Sequence, residues 1–258
     1  MLAAPASAQA VSDKFWISGS GFLANVDTDV RSTLAVNPGG GTELDLEDDL
    51  GLDDSELLPA IYAGAKLGGG FVITGEYYSL NRDTTANISR TITVDDVTYP
   101  INGSISAGFS TAIYRLTIGY SFIRNDTVEV GAALGLHATD LEFSVSGQGS
   151  SGGAPVSAQT RRKEFLAPMP TVGLYGTFEV MPQVNINARA DYLSLGVGDY
   201  DGSILNVQAS VAYRFTENFG IGVGYRYVDY DLDVDKDNYV ASFDYQFNGP
   251  SIFIEAGF

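Results

Sequence analysis

A closed, antiparallel all-β barrel is the fold this sequence predicts, and three observations predict it. Apolar and polar residues alternate with period two in many segments. Short and long connections alternate along the chain. Charged residues of both signs fall on the face opposite the apolar one. A helix would spread the same apolar residues around its whole circumference, so the helical reading fails.

The elements follow in chain order. The opening MLAAPASAQA is small and apolar, and Ala8-Gln9-Ala10 is an A-x-A site. Residues 1–10 therefore read as the tail of a signal peptide without its basic start, and the barrel domain as 11–258. A first strand is expected over about 14–26. The clearest strand puts Ala112, Tyr114, Leu116, Ile118, Tyr120 and Phe122 on one face, with Arg115 and Thr117 on the other. Next come Val128, Val130, Ala132, Leu134 and Leu136 against Glu129, His137 and Thr139. A strand over about 165–180 alternates less cleanly. Its Pro168 and Pro170 cannot donate to a ladder and are placed near its outer end. Then Val184, Ile186, Ala188 and Ala190 oppose Arg189 and Asp191. Val207, Ala209, Val211 and Tyr213 oppose Gln208 and Arg214. Phe219, Ile221, Val223 and Tyr225 oppose Gly222, Gly224 and Arg226.

Short turns are expected at Gly68-Gly69-Gly70, Arg124-Asn125-Asp126, Met181-Pro182-Gln183 and Thr216-Glu217-Asn218. Long loops are expected over 27–56, 82–104 and 143–163, with shorter ones near 197–203 and 231–238. Four short and five long connections give about ten strands, within a range of eight to twelve, and both termini on the short-turn side. In the last strand the apolar face changes parity between Phe247 and Ile252, across Asn248-Gly249-Pro250, which reads as a β-bulge.

Composition bounds the class. The 258-residue chain has 45% apolar residues, but no run of about 18 or more apolar residues that could form a membrane helix. Gly (30), Tyr (15) and Phe (14) are abundant, as in narrow barrels with interfacial aromatics. Cys is absent, which removes disulfides, thiolate metal sites and Cys nucleophiles. A net charge of −18 excludes nucleic-acid binding through the overall field. Cationic or divalent partners suit it better.

The apolar face should meet lipid. Lys66, Glu76, Arg115, Glu129, Glu179, Arg189, Asp191, Arg214 and Arg226 share the opposite face, where they should pair across a narrow lumen. Unpaired charges there would be costly, and facing lipid would cost still more. The expected result is a charged, largely plugged lumen. His137, the only histidine, falls on the same face. It reads as a member of this polar network; a hydrolytic role would need Asp or Ser partners converging on it.

The acidic runs Asp45-Leu46-Glu47-Asp48-Asp49 and Asp229 to Asp237 fall in expected outer loops and read as solvated. Asp231, Asp233, Asp235 and Asp237 are weak candidates for divalent cations, without the Gly and distal Glu of an EF-hand. Arg161-Arg162-Lys163 could meet lipopolysaccharide phosphates. No cofactor motif is present.

The chain ends on Phe258, with Ala256, Ile254 and Ile252 on the same face behind it. In this the sequence resembles the bacterial outer-membrane β-barrel proteins, and more loosely the small barrels of the OmpA and OmpW type, though with more strands than those carry. The resemblance implies an integral outer-membrane protein of a Gram-negative envelope, with short periplasmic turns and long extracellular loops. It implies that Phe258, Ile254 and Ile252 form the assembly signal read by the barrel-assembly machinery. Outer-membrane lipids and lipopolysaccharide would be its surroundings. The implied role is a structural or surface-interaction barrel or a porin-like narrow pore. The alternative is a membrane-embedded hydrolase using His137, a protease or a lipid A-modifying enzyme.

Overall fold

The structure is a computed structural model, and it describes residues 11, 13–34, 43–94, 97–151, 153–156, 161–236 and 239–258. In chain order the strands are β1 (Phe15–Leu34), β2 (Leu44–Asp45), β3 (Ser55–Gly68), β4 (Phe71–Asn87), β5 (Ile92–Val94), β6 (Val97–Tyr99), β7 (Ser104–Arg124) and β8 (Val128–Gly147). They continue with β9 (Gly149–Ser151), β10 (Ala154–Val156), β11 (Arg161–Met181), β12 (Val184–Val197), β13 (Tyr200–Arg214), β14 (Phe219–Lys236) and β15 (Tyr239–Gly257). Setting aside the two-residue β2, the eleven-stranded sheet is a ten-stranded antiparallel barrel, closed by pairing of β15 with β1. The four short strands β5, β6, β9 and β10 form a separate small sheet between the connections.

One end carries both ends of the barrel and the four short connections before β4, β8, β12 and β14. Gly68, Gly69 and Gly70 all take positive φ between β3 and β4, a conformation that suits glycine at a two-residue reversal. Phe258 caps this end: its carbonyl accepts the Lys14 and Phe15 amides, at 2.6 and 3.0 Å.

A belt of outward apolar side chains surrounds the half of the barrel next to these turns. It includes Ile17, Leu23, Ile61, Leu116, Ile118, Leu134, Leu174, Val223 and Ile254, with Leu134 69% and Ile254 67% exposed. On β7 the exposed apolar residues run from Tyr114 to Phe122, close to the roughly 9–11 residues that cross a bilayer as a tilted β-strand.

The strands do not stop there. β7, β8 and β11 are 20 or 21 residues long. Beyond the belt the same parity continues with the opposite polarity. Outward positions become Asp27, Ser106, Asp140, Asp231 and Asp233. Inward positions become Val26, Phe109, Leu141, Tyr230, Leu232, Tyr245 and Phe247, which pack as one buried apolar core. This corrects the expected loops over 27–56, 82–104, 143–163, 197–203 and 231–238, much of which is strand. A segment that ceases to be apolar-outward need not cease to be a strand.

The same inversion removes the expected bulge. β15 pairs with β14 without a register shift through Tyr227↔Asn248, Arg226↔Gly249 and Tyr225↔Pro250. Phe247 points in and Ile252 points out on one unbroken strand, because the medium on each side has changed. Gly249 is required for a different reason: a Cβ there would lie 1.9 Å from the Leu23 carbonyl oxygen.

The connection after β1 fills the inverted half. Asp45 Oδ1 accepts the Glu47 and Asp48 amides and shapes a turn. The turn drives Leu44, Leu46, Leu50 and Leu52 into the core, with Leu46 and Leu50 fully buried. Arg82 anchors it through Glu47, the Asp53 carbonyl at 3.0 Å and Thr28 Oγ1 at 2.7 Å. The acidic run 45–49 is therefore structural. Its Glu47 pairs inside and its Asp49 meets Arg90 outside.

Pro168 and Pro170 sit well inside β11, not near its end. Pairing of β11 with β12 begins only at Val172↔Tyr192, whereas pairing with β8 runs back to Arg161↔Val145. Above Thr171, β11 is an edge on one side among the described residues, and an edge tolerates residues with no N–H.

Candidate functional site

The apolar belt forces the alternate residues of each strand into the lumen, and there the structure brings the charged ones together. Register alone places Glu76 of β4 beside Arg115 of β7, and Arg115 beside His137 of β8. Barrel closure supplies the rest. Arg226 of β14 reaches across the lumen to grip Glu76 with two parallel bonds of 2.9 and 3.0 Å. Its Nε donates to Asn206 Oδ1 at 3.1 Å, and its guanidinium lies 4.6 Å from the centre of the Tyr78 ring. Arg115 bridges the two carboxylates, meeting Glu76 at 2.8 Å and Asp191 at 2.9 Å. Arg189 completes the group with Nε and Nη2 on Asp191, at 2.7 and 2.8 Å. Gly173 makes room for that carboxylate: a Cβ there would lie 2.2 Å from Asp191 Oδ1.

A second cluster lies near the short-turn mouth. Lys66 meets Glu129 at 2.6 Å and donates to the Val11 carbonyl. Ser121 Oγ donates to Glu129 at 2.5 Å and lies 2.8 Å from the Tyr175 hydroxyl. Arg214 holds Asp13 at 2.5 Å and Glu255 at 3.1 Å. Residues 11 and 13 thus bend across the mouth, and both are buried. Between the clusters lies a cavity of about 240 Å³, lined among others by Trp16, Tyr62, Arg189, Arg226, Arg214 and Glu255. Above the central group the lumen is filled by the apolar core.

Parity assigns Glu76, Arg115, Glu129, Arg189, Asp191, Arg214 and Arg226 to one face of their strands but does not pair them. Arg214 meets Asp13 and Glu255, not any of the expected carboxylates. Glu255 lies on the lumen side of the last strand and follows from the same parity; Asp13 precedes the first strand and had no signal. Glu179 is half-buried on β11 and makes no ion pair among the described residues. His137 is fully buried, and neither ring nitrogen has a hydrogen-bond partner among the described residues.

The acidic candidates lie elsewhere. Asp231, Asp233 and Asp235 point outward from β14 at alternate positions, so their Cα atoms are about 6.5–7 Å apart. They cannot converge on one ion; among the described residues no group of three or more potential ligands does. Asp237, the signal segment 1–10 and the side chains of Arg161, Arg162 and Lys163 lie outside the described residues.

Residues 1–247 match the model of the outer membrane protein beta-barrel domain. The chain belongs to that family. It is an integral protein of the bacterial outer membrane, and the outward apolar belt is its lipid-facing surface. The fold is similar to that of the outer membrane protease OmpT from Escherichia coli, with a TM-score of 0.58 and 11% identity over 94% of this chain and 97% of that one. The toluene transporter TodX of Pseudomonas putida is 9% identical over 99% of this chain and 93% of that one, with a TM-score of 0.41. Neisserial surface protein A reaches 0.29 at 13% identity, over 95% and 97%. No curated protein matches the chain.

Proposed function

We propose that this barrel is a closed scaffold that carries a rigid acidic structure above the outer membrane, and that it is not a channel. One observation carries this reading: beyond the central ion pairs the lumen is occupied by a dry apolar core that includes the turn around Leu46 and Leu50. A solute moving along the lumen would have to break the ion pairs and then displace that core.

On this reading the short turns and the termini face the periplasm and the extended half faces outward. Phe258, 64% exposed, and Ile254 and Ile252 beside it form the patch that the assembly machinery reads. Divalent cations gather at the acidic outer wall as counter-ions, in contact with lipopolysaccharide. Kinship with the OmpA and OmpW type belongs to this proposal as a likeness of role.

The hydrolase reading has less support. A general base must reach substrate and an orienting partner, and His137 is fully buried and unpartnered among the described residues. The likeness to a protease is one of fold, and fold does not imply function.

Planar-bilayer recording on refolded protein tests the proposal. The expected result is no channel step above baseline at moderate voltage. Steady conductance by the unmodified protein, raised further by Leu46→Ala or Arg226→Gln, would overturn it. Phe258→Asp should reduce membrane-inserted protein without reducing synthesis; normal surface levels would remove the assembly role.

A further inference from the structure

The lumenal ion pairs balance overall but not locally. The central group sets Arg115, Arg189 and Arg226 against Glu76 and Asp191, which is 3 − 2 = +1. The mouth sets Arg214 against Asp13 and Glu255, which is 1 − 2 = −1. Lys66 cancels Glu129. Charge held away from water is costly unless a partner meets it. The two excesses lie about 20 Å apart along the strands, since Arg226 and Gly220 of β14 are six residues apart and Gly220 faces Glu255. The cavity lies within that span, and Arg189 and Arg226 of the one group and Asp13, Arg214 and Glu255 of the other all line it.

The central group is also short of acceptors. Asn206 Nδ2 is a buried donor with no acceptor in hydrogen-bond geometry among the described residues. Arg189 commits Nε and Nη2 to Asp191 yet still lines the cavity.

We propose that the cavity is a binding site for a small zwitterion, its carboxylate toward Arg189 and Arg226 and its ammonium toward Glu255 and Asp13. A zwitterion answers both local excesses and adds no net charge to the lumen. An anion would answer only the first and a cation only the second. The volume of about 240 Å³ has room for about eight waters, hence for a molecule of comparable heavy-atom count. Entry is from the short-turn mouth, beside the contacts of Val11 with Lys66 and of Asp13 with Arg214. The apolar core closes the far side, so the site binds without transporting. This goes beyond the scaffold reading and holds whether or not the outer wall has a partner.

Trp16 is the only tryptophan and lines the cavity, so its emission reports occupancy. Folded protein in detergent is titrated with 4-aminobutanoate, butanoate and butylammonium at constant ionic strength. These share a carbon skeleton and differ in which charged groups they carry. The expected result is a saturable emission change with 4-aminobutanoate at a Kd of roughly 1 mM, and binding at least about tenfold weaker for the other two. Arg189→Gln should abolish the response. Glu255→Gln should weaken the response to 4-aminobutanoate at least about fivefold and leave that to butanoate unchanged. Heat-modifiable migration confirms that each variant is folded, and Glu255→Gln decides the matter alone if Arg189→Gln does not fold. No saturable response, butanoate binding as tightly as 4-aminobutanoate, or an unchanged Glu255→Gln titration would each overturn the proposal.

Discussion

Strand β14 passes through both halves of the barrel and carries opposite patterns in them. In the membrane half Ile221, Val223 and Tyr225 face out, and Arg226 faces in against Glu76. In the outer half Asp229, Asp231 and Asp233 face out, while Tyr230, Leu232 and Val234 face in. The backbone parity never changes. Only the media do: lipid outside a polar lumen below, water outside a dry core above. An alternating strand therefore reports which side is wetter, and not which side is the interior. The two halves should fail by different mechanisms.

The largest effect is expected in the membrane half. Asp191→Ala leaves three guanidiniums with Glu76 alone, which is 3 − 1 = +2. The cost should be about 3–5 kcal/mol, as for a buried pair deprived of one partner. Arg189→Ala leaves 2 − 2 = 0 and should cost less, about 1–3 kcal/mol. Urea unfolding from lipid vesicles measures both. If the arginine deletion proves the costlier, the local charge excess is not real.

The next effect is confined to the outer half. Leu46→Ala empties a fully buried site in the plug and should cost about 2–5 kcal/mol locally. Protease added from outside should then cut the outer half faster, while heat-modifiable migration of the membrane half stays normal. Loss of both together would show that the halves are one cooperative unit.

A smaller contrast sharpens the comparison within one strand. Val223→Lys puts a charge into lipid and should cost about 2–4 kcal/mol if Val223 lies near the membrane midplane. Asp233→Leu replaces an outward carboxylate of the water-exposed wall and should stay within about 0.5 kcal/mol. Similar costs for the two would mean that the bilayer reaches past Tyr227, and that the inverted half is not outside it.

The membrane half was legible in the sequence because lipid imposes one rule on every strand. Once outward residues must be apolar, the inward positions of Glu76, Arg115, Glu129, Arg189, Asp191, Arg214 and Arg226 follow by parity. Their partners do not follow. Arg226 and Glu76 are 150 residues apart, and they meet because of the stagger with which the barrel closes. The outer half was missed for another reason. Asp229 to Asp235 alternates as regularly as any strand, but with its acidic side outward it reads as a solvated loop to an eye expecting lipid. Leu46 and Leu50 lie among the carboxylates of Asp45, Glu47, Asp48 and Asp49, whose charge makes the whole segment read as solvated.

The smallest effect separates the halves by pH. On the outer wall Asp244 of β15 faces Asp29 of β1 on one side and Asp231 of β14 on the other. Partial burial pushes its carboxyl up from 3.8 to about 7, and the hydrogen bond to Asp231 and the charges of Asp231, Asp233 and Asp29 push the same way. Burial comes first for Asp29 and Asp233 as well, with neighbouring carboxylates adding to it. A carboxyl raised in the folded state stays protonated there where the unfolded chain would have lost its proton. Its contribution to stability is complete below about pH 4 and is lost as pH rises through about 7. The outer half should therefore be more resistant to external protease at pH 5 than at pH 8. The group is well exposed, so solvent and salt keep the difference below about 1 kcal/mol. Asp244→Asn should flatten the dependence, and 1 M salt should shrink it. Heat-modifiable migration of the membrane half should not change over the same range. Protection that rises from pH 5 to pH 8 would mean that the row of carboxylates across β1, β15 and β14 is not held as close as its register requires.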